Sequence, residues 1–186
     1  MTKSLFLINL CSLLYTAGTL AQTTVWKAEH GLARIKSDAP LEVIKAESKS
    51  LRGVIDTSTR SFAFSVRINS FEGFNSEIQR THFLENYLEQ KKYPQATFKG
   101  KFIEEIPFGV PGTYSIRAKG NLEIHGIVKE RIIRGTLVIK KGIMIAQARF
   151  FVPVTDHGIT IPKIVMQKIA EEIEVNIEIE FTETTP

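Results

Sequence analysis

The chain has 186 residues, 43% of them hydrophobic and 24% charged, with 24 Lys and Arg against 20 Asp and Glu. A net charge of +4, dispersed along the chain, argues against a nucleic-acid groove, and one cysteine, Cys11, excludes a disulfide scaffold. The length suits a single domain with a full hydrophobic core or a closed barrel.

Residues 1–21 read as an export signal. Lys3 supplies a positive start, residues 5–14 are apolar, and Thr19 and Ala21 place small side chains at the −3 and −1 positions of a cleavage site. The apolar stretch is short for a bilayer span. Cleavage after Ala21 is therefore expected, leaving a domain at 22–186 in a periplasmic or secreted location. Cys11 leaves with the signal, and the bulky Leu10 before it argues against lipid attachment.

Strand patterns dominate the rest of the chain. Residues 26–36 and 41–47 read as two weakly patterned strands. Over 61–71, Phe62, Phe64, Val66 and Ile68 alternate with Ala63, Ser65, Arg67 and Asn69. The run 77–102 then joins an amphipathic helix to a strand. Asn75 or Ser76 can cap the helix, Ile78, Phe83, Tyr87 and Leu88 fall near one side of it, and Pro94 ends it. After Pro94, Ala96, Phe98 and Phe102 alternate with Thr97, Lys99 and Lys101. An apolar helix flank beside an apolar strand face suggests a plug over a barrel.

Over 113–125, Tyr114, Ile116, Ala118, Leu122 and Ile124 oppose Ser115, Arg117, Lys119, Asn121 and Glu123. Lys140, Lys141 and Gly142 mark a hairpin turn, followed by Met144, Ala146, Ala148, Phe150 and Val152 at alternate positions. Pro162 opens a segment, 163–171, with the pattern of a brief helix. The last strand is the cleanest: Ile173, Val175, Ile177, Ile179 and Phe181 alternate with Glu172, Glu174, Asn176, Glu178 and Glu180. Such alternation belongs to antiparallel sheets with one wet face, and about eight strands can close into a barrel.

Convergent reactive groups are missing. There is no phosphate-cradling glycine loop, no Gly-x-Ser-x-Gly elbow and no cysteine after the signal. His30, His82, His125 and His157 never form a close metal-ligand pair in sequence. His125 is expected on the outer face of its strand, His157 in a turn with Asp156, and His82 in a structural hydrogen bond. Glu104 and Glu105 are read as strand neighbours pointing to opposite faces, so they make no catalytic pair. No catalytic or metal site and no cofactor is expected.

The positive signal is apolar. Phe62, Phe64, Val66, Ile68, Phe98, Phe102, Tyr114, Ile116, Leu122 and Phe150 point inward if the strand parities hold. The small Ala118, Gly120, Ala146 and Ala148 point inward with them. In a binding barrel their smallness leaves room for a long apolar chain; in a structural barrel they complement large residues opposite. Pattern alone leaves both open.

The helix-to-strand block contains HF at 82–83, ENYLE at 85–89 and KYPQATFKG at 92–100; a second block, GNLEIHGIVK, spans 120–129, and DHGI occupies 156–159. These motifs closely resemble the YceI-like family of bacterial secreted lipid-binding proteins, and the likeness covers nearly all of the chain after the signal. The resemblance implies an all-β fold, an antiparallel eight-stranded lipocalin-like β-barrel with a short capping helix. It implies a non-enzymatic carrier whose bound molecule is a polyisoprenoid or isoprenoid quinone. Transient contact with an anionic membrane is compatible with the weak basic charge. Two other readings are a metal-assisted hydrolase using two or more histidines, and a filled barrel that docks an envelope partner.

Overall fold

A computed structural model describes residues 25–184; the expected export signal lies outside them. Eight strands run β1 Val25–Asp38, β2 Val43–Asp56, β3 Ser61–Arg67, β4 Gln95–Phe102, β5 Gly112–Ile124, β6 Ile127–Lys140, β7 Ile143–Pro153 and β8 Glu172–Thr184. Every strand pairs antiparallel with its sequence neighbour, and β8 returns to β1, closing the barrel. Closure removes the free sheet edges that an open sheet would expose. The expected eight-stranded antiparallel barrel is what the chain forms.

The strand faces follow the alternation. In β5, Ile116, Ala118, Gly120 and Leu122 are buried while Arg117, Lys119 and Asn121 face solvent. In β8, Ile179 and Phe181 are buried and Glu178 and Glu180 exposed. Gly100 of β4 pairs with Gly120 of β5, and a Cβ at Gly100 would overlap the Lys119 carbonyl. The two backbones approach too closely there for any side chain.

The two ends of the barrel differ. At one end Trp26, Ile55, Leu137, Met144 and Phe181 are buried to 5% exposure or less, and Ile106 packs in with them. The Phe62 ring sits 5.0 Å from both Phe98 and Phe102, adding an aromatic plug. At the other end the segment between β3 and β4 folds over the opening. Its helix α1, Glu77–His82, is capped by the Ser76 hydroxyl, which accepts from the Gln79 N–H at 3.2 Å.

The helix differs from its expected form. It gives way at Phe83–Tyr87 to a π-helical turn, in which the Leu88 N–H donates to the Phe83 carbonyl at 3.0 Å. The extra residue per turn swings Leu84 and Leu88 inward, where they pack with Ile68, Val154 and Ile159. Ile78, expected on the apolar flank, is 68% exposed instead. The expected helix over 163–171 shortens to a 3₁₀ turn, Lys163–Val165.

Candidate functional site

A cavity of ≈ 450 Å³ occupies the barrel from its middle to the lid end. That volume falls within the range of small-molecule sites. The barrel is thus filled at one end and hollow at the other, and the small Ala118, Ala146 and Ala148 border open volume.

Eleven of the thirteen expected lining residues face this cavity. Phe64, Val66 and Ile68 come from β3 and the turn after it, and Phe98 and Phe102 from β4. Ile116, Ala118 and Leu122 come from β5, and Ala146, Ala148 and Phe150 from β7. Phe62 and Tyr114 do not line it. Both point inward as their parity requires, but they lie at the closed end. Phe62 is consumed by its aromatic neighbours at 4% exposure, and the Tyr114 hydroxyl donates to the Val110 carbonyl at 2.9 Å. Alternation fixes the face of a strand and says nothing of depth along the barrel axis.

Other wall residues were missed from the sequence. Ala33, Ile35 and Ser37 of β1 line the cavity at odd positions, whereas Trp26 and Ala28 near the strand start are buried at even ones. Register shifts between Ala28, Gly31 and Ala33 switch the parity. That bulge is why the N-terminal third alternates so poorly. Ile173, Val175 and Ile177 of β8 also line the wall, and their clean alternation was the available signal.

The lid contributes Phe71, Phe74, Phe83 and Leu88, with the Phe83 ring 5.7 Å from Phe71 and 5.0 Å from Phe74. It is tied to the barrel at several points. The Glu47 N–H donates to the Glu72 carbonyl at 2.8 Å and the Glu72 N–H returns the bond at 2.9 Å. The Ser70 hydroxyl lies 2.7 Å from that of the buried Ser48. Arg80 Nε donates to the Phe71 carbonyl at 3.2 Å, holding the helix to its own entry turn.

Polar groups gather at the rim. Ser37, Glu42, Gln79, His82 and Lys168 line the mouth, and Gln79 donates to the Glu42 carboxylate. Burial pushes the Tyr87 hydroxyl pKa above its usual value, keeping that wall group neutral. His82 is exposed at the rim and makes no side-chain hydrogen bond among the described residues, contrary to expectation.

The remaining groups sit apart from the cavity or serve structure. His125 is not on an outer strand face: it occupies the turn between β5 and β6 with φ 51, followed by Gly126 at φ 71. Asp156 does not bond its own turn but receives Arg131 Nη1 at 3.2 Å. Glu104 and Glu105 lie beyond the end of β4, and Glu104 accepts from Arg117 Nε at 2.7 Å. Among the described residues no three His, Cys, Asp or Glu side chains cluster as metal ligands, and no helix is long and apolar enough to cross a membrane. A hollow wall without charge can hold an apolar molecule and shield it from water.

The YceI-like domain family profile matches residues 21–181. Among solved structures, a polyisoprenoid binding domain from Saccharophagus degradans, implicated in plant cell wall breakdown, superposes with a TM-score of 0.70 at 11% identity, covering 87% of this chain and 99% of that one. BcnA from Burkholderia cenocepacia gives 0.63 at 14% identity over 81% and 95%. The YCEI protein of Campylobacter jejuni gives 0.56 at 19% identity over 73% and 81%. No curated protein sequence matches the chain.

Proposed function

The chain belongs to the YceI-like domain family, and from that premise we propose that it is an exported, non-enzymatic carrier of a long apolar lipid. The lipid is a polyisoprenoid or isoprenoid quinone. The observation that carries the reading is the ≈ 450 Å³ apolar cavity, walled by Phe64, Phe98, Ala118, Ala148 and Phe150 and opening at a polar rim. Burial of the chain drives binding, at about 0.8 kcal/mol for each methylene withdrawn from water. The Glu42, Gln79, His82 and Lys168 rim suits a polar head left at the mouth. The similar fold of the Saccharophagus degradans polyisoprenoid binding domain supports the ligand class. The signal pattern at residues 1–21 supports export to the periplasm or beyond. A carrier needs no reacting group, and this reading assigns none.

Organic extraction of the purified protein followed by mass spectrometry tests the proposal. A polyprenyl species at close to one per chain is the expected result. A washed, lipid-free protein that takes up no polyprenyl lipid on incubation contradicts it.

A further inference from the structure

We propose that the lid end of the barrel is a membrane-docking surface that seats the cavity mouth on a lipid bilayer, an inference that rests on the carrier reading. Three segments meet around the mouth: the turn between β1 and β2, helix α1, and residues 162–170. Their adjacency is fixed by hydrogen bonds. The Leu41 N–H donates to the Gln167 carbonyl at 2.9 Å, and Asn75 Nδ2 donates to the Val43 carbonyl at 3.1 Å. The Ala170 N–H donates to the Ser37 hydroxyl at 2.8 Å.

Each segment turns an aliphatic side chain to solvent rather than into the cavity. Leu41 is 66% exposed, Ile78 68%, Ile164 91% and Met166 45%. A single exposed leucine or isoleucine has no meaning. These four share one end of the molecule, and that end holds the cavity rim.

Two lysines of the same segments can meet lipid phosphates. Lys163 stands next to Ile164, and Lys168 lines the mouth itself. Neither has an acidic partner among the described ion pairs, so both ammonium groups are available for lipid phosphates. The rim acid Glu42 accepts from Gln79 and Asn75, and Glu77 at the start of α1 and Glu171 just after the third segment are exposed acids of the same end. Projecting aliphatic tips with lysines beside them fit the boundary between headgroups and acyl chains, where lysine stems lie along apolar surface and their charges reach water. A lipid leaving a bilayer through this face passes into the cavity without crossing bulk water.

Flotation with vesicles of phosphatidylethanolamine and phosphatidylglycerol tests the proposal. Farnesol titration without vesicles and light scattering for oligomeric state run in parallel. Wild type should float, and Leu41→Glu combined with Ile164→Glu should lower the vesicle-bound fraction at least about tenfold. Ile132→Glu, on the outer wall where the native residue is 56% exposed, should float as wild type does. All three proteins should bind farnesol equally. Wild type that stays in solution, or a double variant that floats undiminished, overturns docking while farnesol binding leaves the carrier reading standing. A dimer that the double variant dissolves, with no flotation, assigns the face to a second copy and overturns docking as well. Wild type that floats but binds no farnesol removes the carrier reading, and the docking inference falls with it.

Discussion

The Glu89 carboxylate lies 2.6 Å from His125 Nε2, joining the residue that follows the lid to the turn between β5 and β6. The other ring nitrogen of His125, Nδ1, is 3.1 Å from the His157 carbonyl, and the ring meets Tyr93 edge to face at 4.7 Å. One imidazole therefore holds together the lid, the hairpin and the turn after β7.

Glu89→Ala should loosen this junction without unfolding the barrel. The pair is partly solvent-exposed, so the loss of stability should be small, on the order of 1 kcal/mol or less. The clearer effect should be faster amide exchange over residues 83–93, measured against an unchanged β8. Equal exchange in both proteins would show that the Glu89–His125 contact does not hold the lid.

His157 gives the fold a pH dependence. Its ring is fully buried, with Nδ1 3.0 Å from the Ile127 carbonyl and Nε2 without a partner among the described residues. Burial pushes its pKa below the ordinary imidazole value of 6.5. A depressed value means the unfolded chain takes up the proton first. The contribution of His157 to stability is thus complete above pH 6.5 and is lost as pH falls through the folded value. One proton sets a slope of at most about 1.4 kcal/mol per pH unit. Asp56, Glu104 and Glu174 are held below the usual carboxylate range mainly by hydrogen bonds from Ser58, Arg117 and Arg149, so their contributions fade only at lower pH. Melting temperatures from pH 5 to 8 should fall on acidification in wild type and stay flatter in His157→Gln.

The two barrel ends should respond oppositely to added and removed volume. Phe62→Ala opens a hole in the aromatic plug and should cost about 3–5 kcal/mol. Leu137→Phe, at a fully buried position of the same end, should overpack it by about 1–3 kcal/mol. Ala148→Phe places a ring in existing space and should shift stability by less than about 1 kcal/mol. Denaturant melts of the three variants check the contrast; equal losses would mean the cavity collapses in solution.

Gly100→Ala should cost more than the glycine-to-alanine change costs elsewhere in this barrel. Its Cβ would meet the Lys119 carbonyl and the Gly120 backbone, neither of which can turn aside as a side chain can. Gly109→Ala, where nothing lies near the added carbon, is the comparison. Matching melting temperatures for the two variants would contradict the close approach of β4 and β5.

The eight strands and their inward faces were legible because water on one side and the core on the other impose a period of two. Ile116, Ala118 and Leu122 could be placed in the wall from that alone. Depth could not: Phe62 and Phe64 share a face, yet one plugs the closed end and the other lines the cavity. Local irregularities were also hidden. The bulge near Gly31 erases the alternation of β1, and the π-helical turn at Phe83–Tyr87 exchanges Ile78 for Leu84 in the packed face. His125 followed the parity of β5 so closely that its place in a turn was masked, although Gly126 after it was the turn signal. Family resemblance, not periodicity, pointed to an isoprenoid.

Whether this cavity holds a polyprenyl chain is read most directly by counting that lipid in wild type and in Ala118→Phe. Both proteins should be incubated with the same polyprenol, freed of excess and measured by native mass spectrometry. The expected result is close to one lipid per wild-type chain and almost none on an Ala118→Phe protein that melts within a few degrees of it. Equal loading of the two proteins, or none on either, would contradict it.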